Sequence, residues 1–286
     1  MATYTESIRL APSVYLQASP QKFRLHRLLT WEVAPCIETL QETGDPKVTR
    51  QLMAGAFYAG FSRRASDEKI ADDSVTTSAP SLLRYIHWLA GAYQTAHATP
   101  PTMRRVAERL AARGQHTAAK HCLHVAEEES GHDTLALMDL AALGLPAQEF
   151  VGHLRPKSSL ALVELFSRFA DSDAPIAVLG YAYALERMSL FSTAESISAI
   201  ERLIPAGIKA TRFLRVHSAV GSDAGHVSES IAFMATLAPE DRGAIARATY
   251  ETVSLLCAAR RDYPGDEATR ALLDEFGWAM AEMALA

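Results

Sequence analysis

Residues 121–132 read HCLHVAEEESGH, three imidazoles among three carboxylates. Imidazole nitrogens and carboxylate oxygens together suit iron and other first-row divalent metals. On an α-helix Glu129 and His132 stand three apart and share a face, so one cation could take both; Glu128, four before His132, serves nearly as well. Glu-x-x-His at this spacing recurs in the iron sites of carboxylate bundles. Alone it is a common helical pattern, and a run of three glutamates is ordinarily a solvated face.

Glu186, in VLGYAYALERMSLF, is a second candidate. Its neighbours on one helical face, Leu179, Ala182, Tyr183, Ser189, Leu190 and Thr193, carry no charge, which predicts a buried carboxylate. A carboxylate so placed must be paired, protonated or bound to a cation, because an unpaired buried charge costs several kcal/mol. A distant arginine is the alternative partner, since Arg187 points to another face.

The third group is His217, Asp223 and His226 in FLRVHSAVGSDAGHVSES. His217 shares an apolar face with Phe213, Leu214 and Val220, where a single histidine is more often a satisfied core residue than a ligand. On an unbroken helix His217 and His226 point about 180° apart. Gly221-Ser222 lies between them, and helices break at such pairs. Arg187, Arg212 and Arg215 lie beside these positions and could grip a substrate carboxylate through two parallel hydrogen bonds; a structural or solvent-facing role is the alternative.

Positioning these side chains requires helices, and the rest of the chain predicts little else. The spacing of Phe23, Leu25, Leu28, Leu29, Val33 and Ile37 predicts a helix from Pro20 to Thr43-Gly44, with another after Pro46. The polar stretch 62–80 reads as a loop. Further helices are expected over 81–95, 103–113, 117–143, 147–152, 160–169, 175–203, 206–220, onward from Asp223, over 239–261, and from Asp266 to the end, with no rival strand signal. Leu143-Gly144-Leu145-Pro146 ends one helix on a glycine and starts the next at a proline. Short loops between such helices imply one all-α domain over residues 1–286, with 1–19 as an N-terminal arm.

Composition sets the outer limits. The 28 Lys+Arg against 33 Asp+Glu give a net charge of -5, and 49% of residues are hydrophobic. That is a globular composition without the basic excess that nucleic acid or an anionic membrane demands. The longest uncharged apolar run, 174–185, is short of the roughly 20 residues that span a bilayer, and the first residues show no secretory pattern. The expectation is a cytoplasmic protein acting on a small-molecule substrate, with no nucleic acid and no membrane partner, and with a homodimer as an open form of assembly. Cys36, Cys122 and Cys257 are too widely spaced for a disulfide framework or thiolate metal site, and each reads as a small apolar helix residue.

The order Glu129-x-x-His132, then Glu186 54 residues on, His217 31 beyond that, and finally Asp223 and His226 resembles the haem-oxygenase-like diiron oxidase and oxygenase family. The resemblance spans roughly residues 80–235, and GHDTLALMDLAALGLP is similar to that family's helix end. It implies a seven-helix haem-oxygenase-like bundle with extra N- and C-terminal helices, residues 80–235 forming the metal-binding core. Carried over, it implies Glu129, His132, Glu186, His217, Asp223 and His226 as ligands of two Fe ions, with O2 as co-substrate. His217 and Asp223 are six apart where the family pattern has four, and the position seven before His132, used by some members, is Val125; Glu128 remains the alternative to Glu129. The implied activity is O2-dependent oxidation of a small metabolite, an amino acid or similar carboxylate, by N-oxygenation, desaturation or C–C cleavage. The alternatives are a metal-independent enzyme of the same fold, resembling thiaminase or pyrroloquinoline-quinone synthase, and a non-enzymatic helical interaction protein.

Overall fold

The computed structural model describes residues 5–28, 38–67, 81–259 and 263–278. Its first elements correct the expected arm and helix. Strands β1 (Glu6–Ala11), β2 (Val14–Ala18) and β3 (Phe23–Arg27) form an antiparallel sheet in that order, with Ile8 opposite Leu16 and Leu16 opposite Leu25. Phe23 and Leu25 alternate with Arg24 and His26, a period of two that suits a half-buried strand. Residues 38–45 are not helical either; Thr39 bridges to Ser7. Leu29, Val33, Cys36 and Ile37 lie outside the described residues, as do most of the 62–80 segment and the end of the last predicted helix.

The sheet is fixed to the bundle by a buried ion pair. Arg242 Nη2 donates to Glu6 Oε1 at 2.7 Å, with both side chains at most 1% exposed. Arg242 also donates to the carbonyls of Leu237 and Gln41. Removing either charge would strand the other in the interior, which costs about 3–5 kcal/mol.

The remainder is helical, as expected. Helix α1 (Pro46–Asp67) lies against the sheet and against α11 (Pro239–Ala259). Helix α2 (Leu82–Ala112) packs on α3 (His116–Glu128), α4 (His132–Ala142) and α6 (Lys157–Asp171). The others are α5 (Ala147–His153), α7 (Val178–Ser189), α8 (Ala194–Glu201), α9 (Arg212–Val216), α10 (Asp223–Met234) and α12 (Asp266–Glu275), α7 being entered through a 3-10 turn at Pro175–Ala177. One apolar core joins the sheet to α1, α3, α6, α7, α10 and α11, and a second joins the first half of α2 to α4, α5 and α12.

Four helix boundaries differ from expectation. The helices predicted over 81–95 and 103–113 are one, with Pro100-Pro101 inside it; burial of its apolar face outweighs the local cost of the prolines. The predicted 117–143 helix divides at residues 129–131, and the 175–203 helix divides at residues 190–193, where the Thr193 side chain caps α8 by accepting from the Ser196 N–H. Of 206–220 only Arg212–Val216 is helical. The stop at Gly144 is where the sequence puts it. Cys122 and Cys257 are buried in helices, and burial pushes the Cys122 thiol up to about 12, so it is an unreactive core group. Among the described residues no single helix is long and apolar enough to cross a membrane.

Candidate metal centre

The breaks in the helices build the site. Helix α3 ends at Glu128, Glu129 caps it, and Gly131 turns the chain with φ +87°, so that His132 is the first residue of α4. Glu129 and His132 therefore meet across a turn, not along a helical face: His132 Nδ1 is 3.0 Å from Glu129 Oε2. The second break falls earlier than Gly221-Ser222. Helix α9 stops at Val216, His217 caps it with ψ 73°, outside the helical range, and α10 begins at Asp223. The intervening turn is well tied, with Ala219 N–H donating to Ser192 O and Gly221 N–H to Ser218 O. Gly221 sits against the end of α9, where a Cβ would lie 2.0 Å from the Val216 carbonyl oxygen.

This turn brings His217 and His226 to one place. Asp223 Oδ1 is 3.5 Å from His217 Nδ1 and 3.9 Å from His226 Nδ1. Asp223 Oδ2 accepts from the Ser189 hydroxyl, joining the end of α7 to the start of α10. His217 Nε2 in turn faces Glu129 Oε2 at 3.9 Å, and the His132 and His217 rings meet edge-on at 4.8 Å. Two sets of donor atoms, each within 4.8 Å of one another, result: Glu129, His132 and His217, and Glu129, Glu186 and His226. Glu129 belongs to both. Asp223 belongs to neither and touches the Nδ1 side of two imidazoles. Glu128 belongs to neither set; its Oε1 lies 3.2 Å from His124 Nε2 and 3.6 Å from His226 Nε2.

The electrostatics call for a cation. Burial drives the Glu186 carboxyl well above the usual range, and repulsion from Glu129, Asp223, Glu128 and Glu229 adds to it. Burial works against charge on His217, but Asp223 and Glu129 outweigh it and raise that imidazole's pKa. Glu186 Oε2, His217 Nε2 and Asp223 Oδ1 are all shut off from solvent without a hydrogen-bond partner. Buried polar atoms are rarely left so. A divalent cation would satisfy the donors and offset the repulsion, and the set of nitrogen and oxygen donors fits iron.

The cluster opens on a cavity of about 570 Å³, lined by Glu129, Glu186 and His217 at one part and by a stripe of α2 from Arg84 to Thr99 along another. That stripe, Arg84, Trp88, Gly91, Thr95 and Thr99 at steps of three and four, reads in the sequence as a helical face with a small residue in its middle. Sequence reasoning missed Arg84, which sits over the Tyr263 ring at 4.7 Å, and Tyr181, whose buried hydroxyl has no hydrogen-bond partner. The three arginines it weighed do not line the cavity. Arg212 pairs with the buried Asp139 at 3.0 Å, Arg215 with Glu201 at 2.6 Å, and Arg187 lies over the Phe57 ring. Asp139 also accepts the Phe213 N–H at 2.9 Å, pinning α9 and hence His217.

Two solved structures share this chain's fold. A domain of unknown function with a haem oxygenase-like fold from Shewanella denitrificans aligns with a TM-score of 0.57 at 17% identity, covering 82% of this chain and 95% of that one. A TenA homologue from Pseudomonas syringae pv. tomato aligns with a TM-score of 0.54 at 11% identity, covering 79% and 98%. At such identity the likeness shows the fold alone. Among curated proteins none matches the chain. Residues 86–256, which include every residue of the candidate centre, match the model of one family. The chain therefore belongs to the iron-containing redox enzyme family and has its haem-oxygenase-like, all-α fold.

Proposed function

We propose that this protein is a non-haem diiron oxidoreductase that uses O2 to oxidise a small carboxylate-bearing metabolite. The observation that carries the reading is the sharing of Glu129 by two donor sets, one completed by His132 and His217 and the other by Glu186 and His226. Such an arrangement suits two cations side by side with one carboxylate serving both. Iron held there would supply the electrons with which O2 is reduced.

The chain's own groups do the rest. Asp223 Oδ1 faces the Nδ1 atoms of His217 and His226 at 3.5 and 3.9 Å, where its negative charge favours the Nδ1–H form of each ring and would leave the Nε2 lone pairs for a cation. Asp223, one of the six expected ligands, thus serves in this reading as the group that orients two others. Arg84, the one arginine lining the cavity among the described residues, anchors the substrate carboxylate. Tyr181 offers its unpartnered hydroxyl to a polar atom of the substrate. Leu162, Leu185, Met188 and Phe213 keep the space between them dry.

The test is anaerobic loading with Fe(II), followed by O2 uptake in the presence of amino acids and other small carboxylates. The expected result is a visible absorption change on O2 exposure and substrate-dependent O2 consumption, with KM raised in Arg84→Ala. Loaded protein that neither changes colour nor consumes O2 would refute the assignment.

A further inference from the structure

Ligand-type side chains continue outward from the cavity. His124, Glu128 and Glu229 bring one donor atom each to within 4.8 Å of one another. Helix α3 supplies His124 and Glu128 one turn apart, and α10 supplies Glu229 one turn beyond His226. Glu128 Oε1 lies 3.2 Å from His124 Nε2 and 3.6 Å from His226 Nε2. Exposure falls along this line, from 53% at the His124 side chain through 28% at Glu128 to 16% at His226. Glu128 thus stands between solvent and the inner centre.

We propose that His124, Glu128 and Glu229 form an outer divalent-cation site that captures Fe(II) from solvent and hands it across Glu128 to His226 and the inner centre. The proposal rests on the reading of that inner centre as a metal site. One imidazole and two carboxylates on an open surface leave several coordination positions to water, which suits weak and reversible binding of Fe(II) or Mn(II). The transfer leaves the ion in its divalent state, so it needs no oxidant or reductant. The acidic field is continuous along the route: Glu128 and Glu229 are both close enough to disfavour ionisation of Glu186. A passage lined by one sign of charge raises the local concentration of the opposite ion and its rate of entry.

The experiment compares the full chain with the His124→Ala/Glu229→Ala double variant, neither residue belonging to the inner centre. Bound Mn(II) is counted by electron paramagnetic resonance, and the rate of anaerobic Fe(II) uptake is followed. The double variant should bind one Mn(II) fewer per chain and fill its inner centre about ten-fold more slowly, with the same iron content in the inner centre at the end. An unchanged ion count and unchanged uptake rate would overturn the outer site while leaving the diiron reading in place. A single Mn(II) in the wild type, lost in the double variant, would overturn both the diiron reading and the transfer, leaving a surface site with no inner centre to supply.

Discussion

Glu129 Oε2 lies 3.0 Å from His132 Nδ1 although one residue caps the end of α3 and the other begins α4. The residue that permits this is Gly131, at φ +87°. A Cβ there would meet nothing within 4 Å, so its cost is conformational alone. Gly131→Ala should therefore lower stability by about 1–2 kcal/mol, measured by urea unfolding of the metal-free protein. Gly221→Ala should cost more, because its Cβ would strike the Val216 carbonyl and displace His217. Equal losses in the two variants would count against this account of the turns.

Asp223 is predicted to orient two histidines. Asp223→Asn keeps the shape but cannot accept both Nδ1 protons through an ionised carboxylate, and iron affinity should fall about 10–100-fold. Competition with a coloured chelator measures it. Undiminished affinity would show that the imidazoles hold their own orientation.

Much of this centre was legible in the sequence, and what escaped has definite causes. Residue types and order marked Glu129, His132, Glu186, His217, Asp223 and His226, because imidazoles and carboxylates in helical segments are readable one by one. Helical spacing gave the wrong reason for Glu129 and His132, whereas for His217 and His226 a break was expected, at Gly221-Ser222, and it begins earlier, at His217. Glu129 meets His132, and His217 approaches His226, through turns at residues 129–131 and 217–222. Periodicity is blind to such breaks. The arginines chosen for their nearness in sequence were engaged elsewhere by Asp139 and Glu201, whereas Arg84 reaches the cavity from a helix distant in the chain. The sheet was missed because Phe23 and Leu25 fit two periods at once, and the alternation FRLHR is too short to outweigh the helical pattern that follows it.

Acid and metal should compete at the centre. The folded-state pKa of Glu186 is raised above 4.5 and that of His217 above 6.5. In the metal-free protein both protonated forms favour the fold, so their contribution is present at low pH and is lost as pH rises through the raised values. The stability of Glu186→Gln relative to wild type, without metal, should consequently grow as pH rises from about 5 to about 8. Mn(II) binding, which requires these protons to leave, should strengthen over the same range. Melting temperatures at a series of pH values check both; parallel wild-type and variant curves would contradict the first.

Tyr181 should matter to substrate and not to the fold. Its hydroxyl makes no hydrogen bond within the protein, so Tyr181→Phe should change stability by less than about 1 kcal/mol or raise it, while KM for the substrate increases. A marked loss of stability would mean that the hydroxyl has a structural partner.

The central claim is that Glu129 serves two iron ions, and the most direct measurement is iron per chain by elemental analysis after anaerobic Fe(II) loading and desalting, in wild type and in Glu129→Ala. The account predicts two irons per wild-type chain and loss of both in the variant, with the helical circular dichroism unchanged. A wild type that retains no iron, or a Glu129→Ala protein that keeps both ions, would contradict it.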